Sequence, residues 1–333
     1  MLFYSTFQTK LFENWHEWRN RPNESGDIQC APGPKLWKVL GDELIFWKEC
    51  WHPREVLGII QVWRKTVLDF KNSWQFPDLR IKSGSWLVGS PVGNWEIAFL
   101  RSAEESSDSL YSNNPVAYNF HLLKEYYSEE DRRKINLDFV GPNMDCGFRL
   151  LAHSDERRFV LSADLVDILC SEVTWWERQS YVREYPEIKF FYDGVVTLKG
   201  ISRYGVDYPL IWLDSFADAS STDASTFASA RDEIEERKPK NPHDLQRFVT
   251  KFLHDMGGFP SRPYICRISA DGTVNNTYSA LPEQDAGQVE SLRSAYLTNI
   301  KNEEEVRDAF EHQDGIGSDP VDIADLADKI KPA

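Results

Sequence analysis

The sequence predicts an α+β fold, in which strands paired as hairpins alternate with amphipathic helices, followed by a smaller accessory α+β region. Three observations predict it. Residues 35–47, "KLWKVLGDELIFW", set two apolar, aromatic-rich runs on either side of a Gly-Asp turn, the pattern of a hairpin. The stretches 3–18 and 53–70 repeat apolar residues at helical spacing. After residue 214 the composition shifts to Ser, Ala and Asp, so that a linker over 215–240 separates a domain of residues 1–214 from an accessory region over 241–333.

Taken in order, Phe3, Phe7, Leu11, Trp15 and Trp18 place one face of a helix at the start of the chain. A loop with Pro22, Gly26, Pro32 and Pro34 leads to the hairpin, whose flanking apolar residues are expected to anchor both strands in the core. Pro53 opens a second helix carrying Val56, Ile60, Trp63, Val67 and Phe70 on one face. "LRIKSGSWLVGS" (79–90) reads as a strand broken at Gly84, and the polar stretch 101–134 as a surface insertion with a short helix near "FHLLKEYY". "LDFVGPNMDCGFRLLA" (137–152) begins as a strand and becomes helical after Pro142. "RRFVLSADLVDIL" is a strand followed by a short helix, and residues 194–213 are a two-strand pattern. In the accessory region Leu245, Phe248, Val249, Phe252 and Met256 form a helix stopped by two glycines. A hairpin with an Asp271-Gly272 turn follows, and the acidic C-terminal stretch is weakly ordered.

Composition narrows the function classes. A chain of 333 residues with 12 Trp, 19 Phe and 13 Tyr is built to pack a large core. A formal charge of −15 argues against a general electrostatic grip on nucleic acid or an anionic membrane, so a polyphosphate needs a local basic cluster or metal ions. Cys30, Cys50, Cys146, Cys170 and Cys266 are odd in number and widely spaced, which suits a reducing cytoplasm better than a disulfide framework or a zinc site. No apolar run has membrane-span length and the N-terminus lacks signal-peptide order, so a soluble, cytoplasmic protein is expected.

Four separated segments carry chemistry: the hairpin "KVLGD", then "RIKSG", then "DFVGPNMDCGFR", and finally "VTLKGI" after "FVLS". Singly, each has an ordinary structural role. Asp42 suits a solvated turn, Asp145 complements a helix dipole with Arg149 as its i,i+4 partner, Lys199 sits at a surface turn and Asp138 at a strand end. Jointly, their order resembles the class III nucleotidyl cyclase domain, whose pattern is K-x-x-G-D on a hairpin, D-x-x-G-x-x-x-N-x-x-x-R, and a late L/V-K-G. The spacing Asp138, Gly141, Asp145, Arg149 fits that middle motif without a gap. The resemblance covers about residues 1–213, and "GPNMDCGFRL" is most similar to the bacterial pyrimidine cyclases of Pycsar antiphage systems.

The resemblance implies a ferredoxin-like domain acting as a head-to-tail homodimer. It implies conversion of a nucleoside triphosphate, UTP first, to a 3′,5′-cyclic nucleotide and pyrophosphate, with the product acting on a separate effector. Asp42 stands where the family holds a metal with a bridging carboxylate, and two divalent ions, Mn²⁺ or Mg²⁺, are implied. Arg149 would stabilise charge on the α-phosphate, with Asp145 beside it, and Lys199 would hold the triphosphate. Lys38 and Asp138 occupy the base-recognition positions, a donor and an acceptor for a base edge. Tyr4, on the first helix, is a further candidate base contact.

The sequence departs from the family in three places. Asp145 replaces an asparagine, and no arginine follows Gly84. The strand bearing the family's other metal aspartate stands roughly forty residues before the hairpin, which here falls before Met1, so the resemblance implies that this strand lies outside the sequence, as with a late start codon or truncation. Alternatives are a cytidylate or adenylate cyclase, or a non-catalytic nucleotide-binding protein of the same fold. A diguanylate cyclase relative is disfavoured because Leu40 stands where that signature needs glycine.

Overall fold

The computed structural model describes residues 2–21, 28–72, 80–90, 93–101, 115–128, 134–178, 188–199, 207–215, 231–255, 263–268, 274–278 and 287. Helices and mostly antiparallel strands alternate along it, as the α+β class requires. Helix α1 (Leu2–Arg19) packs on α2 (Pro53–Lys71), burying Phe7, Leu11, Trp15 and Trp18 with Val62, Val67 and Phe70. A polar contact sits in that interface. Asn14 donates to Thr66 Oγ1 at 2.9 Å and accepts from Lys65 Nζ at 2.5 Å, which offsets its desolvation.

Between these helices lies the hairpin β1 (Lys35–Leu40) and β2 (Glu43–Trp47), turned at Gly41 with φ 62°. Only its second strand is anchored as expected. Ile45 is buried and Leu44 and Phe46 pack on the α1–α2 core, whereas Val39 and Leu40 are 47% and 48% exposed. β1 instead lies beside the strand that carries Asp138, and Trp37 Nε1–H donates to Leu137 O at 3.1 Å.

The strand expected over 79–90 shortens to β3 (Gly84–Ser85). It pairs in parallel with β6 (Arg158–Leu161). Its ladder stops where Leu87 N–H is taken by the Ser162 hydroxyl at 3.1 Å. Two strands hydrogen-bonded as a further hairpin follow, β4 (Trp95–Leu100) and β5 (Ile135–Val140). β4 is an element that the sequence reading did not assign. Helix α3 (Pro115–Ser128) covers one face of this pair through Leu122 against Ala98 and Ile135. Most of the expected insertion before it lies outside the described residues.

Helix α4 (Pro142–Leu151) leaves β5 through Gly141 and lies against β3, β5 and β6. Helix α5 (Ala163–Glu177) is longer than the short helix expected, with 15 residues. It is buried nearly all round, between α2, the sheet and α6 (Pro242–Asp255), and so shows no amphipathic period. β7 (Phe190–Val196) and β8 (Tyr208–Asp214) complete a sheet of order β3-β6-β8-β7. β9 (Ile265–Ile268) pairs antiparallel with β10 (Val274–Tyr278), while the Asp271-Gly272 turn lies outside the described residues.

The region beyond the linker shares the main core. Leu245, Val249 and Leu253 of α6, and Ile265 of β9, belong to the same buried cluster as Phe190, Trp212 and Leu169. The buried Asp167 carboxylate of α5 accepts from Thr250 and from Tyr278, both at 2.7 Å, which ties α6 and β10 to it. Of the expected linker, residues 216–230 lie outside the described residues. Residues 231–240 run along the sheet, where Lys240 N–H donates to Phe190 O at 2.7 Å. No helix among the described residues is long and apolar enough to cross a membrane.

Candidate functional site

The two positions read as base-recognising meet in space. Lys38 Nζ lies 2.6 Å from Asp138 Oδ2, although a hundred positions separate the two residues in sequence. Asp138 Oδ1 accepts the Phe139 N–H at 2.8 Å, which fixes the carboxylate, and the ammonium stands 4.5 Å from the Trp37 ring. Trp37 also packs edge-on against Phe139, with ring centroids 5.1 Å apart, so β1 and β5 are held together on both sides of the pair. Both side chains remain partly exposed, 30% for Lys38 and 23% for Asp138. The ammonium keeps donors and the carboxylate keeps lone pairs for a ligand.

One helix turn onward, Arg149 Nε donates to Asp145 Oδ2 at 2.9 Å on the exposed side of α4. The aromatic ring of Phe148, next to Arg149, lies 6.3 Å from that of Trp37, so the two charged pairs flank one aromatic cluster. The start of α4 is set by a polar network that sequence reasoning missed. Asn143 N–H donates to Asn94 Oδ1 at 3.1 Å, Asn94 Nδ2 donates back to Asn143 Oδ1 at 2.8 Å, and Asn143 Nδ2 donates to Asp164 Oδ2 at 2.9 Å. Gly141 has φ 143°, and a Cβ there would stand 2.4 Å from Asn94 Oδ1, so only glycine lets the strand turn this close to Asn94.

Asp164 anchors that network from α5. It also accepts from the Ser162 hydroxyl and from Leu165 N–H. Burial pushes its carboxyl up to about 6, against hydrogen bonds that favour the charged form. The folded state therefore holds this proton more tightly than the unfolded chain. Its contribution to stability is full below the unfolded value of 3.8 and is lost as pH rises through about 6, a change of about 3 kcal/mol. Urea unfolding of wild type and Asp164→Asn at pH 4, 5, 6 and 7 is expected to show this fall only in wild type. A stability difference between the two proteins that stays constant over that range would remove the buried proton.

Asp42 is exposed at the hairpin tip. Tyr4 does not reach Lys38 or Asp138. Its hydroxyl donates to the Gly41 carbonyl at 2.6 Å and braces the tip from α1. Lys199 is exposed beyond β7, with no ion pair or hydrogen bond among the described residues. The structure thus pairs Lys38 with Asp138 and Asp145 with Arg149, while no hydrogen bond or ion pair among the described residues joins Asp42 or Lys199 to them. Asp42 suits one bond to a hard cation. Among the described residues no group of three His, Cys, Asp or Glu side chains forms a metal site around it or elsewhere, so these residues alone do not compose the implied two-metal centre. Cys30, Cys50, Cys146 and Cys170 are unbridged, and burial pushes the Cys50 and Cys146 thiols up to about 12, too high for a thiolate nucleophile at neutral pH.

The surface around the charged pairs is apolar. Trp95, Ile97 and Phe99 alternate on the β4 face turned away from α3, and Val140 and Asp138 are the register partners of Trp95 and Ile97. Trp95, Phe99, Val140 and Phe148 are exposed large hydrophobic residues there. No protein-family model, curated protein or solved structure matches the chain.

Proposed function

We propose that the chain is a nucleotidyl cyclase of the class III kind, taking UTP to 3′,5′-cyclic UMP and pyrophosphate as a second messenger in antiphage defence. The observation that carries the reading is the Lys38–Asp138 pair at 2.6 Å, a preassembled donor and acceptor on a partly exposed aromatic surface. For uracil, the Lys38 ammonium donates to the O4 carbonyl and the Asp138 carboxylate accepts N3–H. In the reaction the ribose 3′-hydroxyl gives up its proton to water as its oxygen bonds to the α-phosphorus, the bond from that phosphorus to the bridging oxygen breaks, and pyrophosphate leaves with the electron pair.

Arg149 supplies a positive charge to the α-phosphoryl oxygens as charge moves onto them, and Lys199 holds the departing phosphates. Bound Mn²⁺ or Mg²⁺ would neutralise the triphosphate, and Asp42 would be its protein ligand. The exposed Trp95, Phe99 and Val140 support a homodimer whose partner covers this face, because such a patch is costly to leave in water. The site is read as working in the cytoplasm, with the cyclic nucleotide acting on a separate effector. A second reading, nucleotide binding without turnover, is favoured by one observation. Among the described residues Asp42 belongs to no group of three His, Cys, Asp or Glu side chains that could hold a metal ion.

Incubating the protein with each of the four ribonucleoside triphosphates and Mn²⁺, then identifying products by mass spectrometry, separates these readings. Cyclic UMP is expected at least about tenfold above the other products, the ratio that one unpaired polar group at a base edge produces. A cyclic product from ATP or CTP in excess overturns the base assignment. Binding of UTP with no cyclic product favours the second reading.

A further inference from the structure

The opposite end of the sheet from Lys199 carries a second site. Val196, three residues before Lys199, pairs with Tyr208 at the start of β8, whereas Arg158 pairs with Asp214 at the end of that strand. A cleft of about 310 Å³ opens at this far end, lined by six cations, Arg80, Lys82, Arg157, Arg158, Arg231 and Arg237, and by the carboxylates Asp155 and Glu156. Six cations converge on one cleft of a chain whose formal charge is −15.

These cations fall into two groups. The inner arginines are fixed by carboxylates. Arg157 donates to Asp214 at 2.7 Å and through both terminal nitrogens to Asp232 at 2.8 and 2.5 Å, and these hydrogen bonds, the one from Asp232 foremost, raise its pKa further. Arg158 donates to Asp155 at 2.7 Å and lies 3.6 Å from Asp193, which also pairs with Arg237 at 3.3 Å. Glu235 holds Arg231 at 2.8 Å and Arg237 at 2.9 Å. Glu236 adopts φ 52° beside them, a conformation that a non-glycine residue keeps only where its surroundings hold it.

The rim differs. Lys82 is exposed with no ion pair or hydrogen bond among the described residues, and Arg80, 83% exposed, reaches only Glu156 at 3.9 Å. At the floor, Trp212 is fully buried and its indole N–H has no hydrogen-bond partner among the described residues.

Five carboxylates, Asp155, Asp193, Asp214, Asp232 and Glu235, more than balance the charge of the four inner arginines, but they do not take up all the donors. An arginine carries five N–H groups, and the inner pairs use at most three of them in any one residue. The guanidinium groups are already ordered, so a ligand that accepts from them loses little affinity to side-chain immobilisation. Planar forks in fixed positions suit phosphate oxygens, and the cleft is larger than a single phosphate needs. The strongly acidic remainder of the surface repels a long polyanion, which selects a small one. We propose that this cleft binds a small phosphate-bearing anion of the diphosphate class, held by the ordered arginines within and by Arg80 and Lys82 at the rim.

Isothermal titration of the full chain with inorganic pyrophosphate, in low salt and with chelator present, tests it. Arg80→Ala/Lys82→Ala removes the two rim cations without touching the inner pairs, and is expected to bind at least about tenfold more weakly than wild type. Arg149→Ala/Lys199→Ala, a control for the site proposed to turn over nucleotide, is expected to bind as wild type does. No binding by wild type overturns the proposal. Equal affinity of wild type and the rim variant overturns it as well, without bearing on the cyclase reading, and a loss confined to the control variant overturns it by placing pyrophosphate in the site proposed for turnover.

Discussion

Replacing Glu55 with alanine is expected to lower the unfolding free energy by about 3–5 kcal/mol, the cost of stripping one partner from a buried ion pair. Glu55 is fully buried in the first turn of α2 and joins three parts of the chain. Its carboxylate accepts from Ala31 N–H at 2.8 Å, from Trp51 N–H at 2.9 Å and from Lys48 Nζ at 2.7 Å. Lys48 is only 3% exposed and its ammonium stands 4.4 Å from the Trp15 ring. Alanine takes the carboxylate away from that ammonium, which keeps the Glu49 carbonyl at 2.7 Å, and from two backbone N–H groups at a buried position. Against a typical domain stability of about 5–15 kcal/mol this is a large fraction. Urea unfolding at unchanged slope measures it, and a loss below about 1 kcal/mol would show that water reaches the pair. Pairing the change with Lys48→Met is expected to recover part of the loss, since no charge is then left buried.

That pair also shows why the sequence was only partly legible. Trp15, Val56 and Phe70 announce their helices because each repeats at helical spacing on a single buried face. The Gly-Asp turn announces its hairpin, and Pro142 the start of α4. Glu55 and Lys48 look like surface charges, since nothing local distinguishes a buried ion pair from a solvated one. α5 reads as short in sequence because burial on nearly every side erases its amphipathic period. β4 went unassigned beside a polar stretch, although its own alternation of Trp95, Ile97 and Phe99 was a usable signal. Of the candidate site, Lys38 and Asp138 could be paired through a motif, while the Asn94–Asn143–Asp164 network that sets the start of α4 could not. The basic cleft was hidden more deeply. Its residues come from 80–82, 157–158 and 231–237, and a net charge of −15 conceals them until the sheet brings them together.

Asp42→Asn and Arg149→Ala are each expected to lower cyclic-nucleotide turnover by at least about a hundredfold, the range for loss of a metal carboxylate or of an arginine that steadies a transferring phosphoryl group. Neither change threatens the fold. Asp42 is exposed with no ion pair or hydrogen bond among the described residues, and Arg149 gives up only a surface pair with Asp145, worth at most about 1 kcal/mol. Circular dichroism and melting temperature are therefore expected to match wild type. The proposed dimer makes the two defects complementary, because each site would take its hairpin aspartate from one copy and its Asp138–Arg149 segment from the other. Mixed in equal amounts and allowed to exchange, half of the dimers carry one copy of each variant, and each of those holds one intact site of two. Recovery of about a quarter of wild-type turnover is the expected result. If heterodimers form and turnover stays at the level of the separate variants, each site is built within one chain, and the exposed face of Trp95, Phe99 and Val140 needs a different occupant.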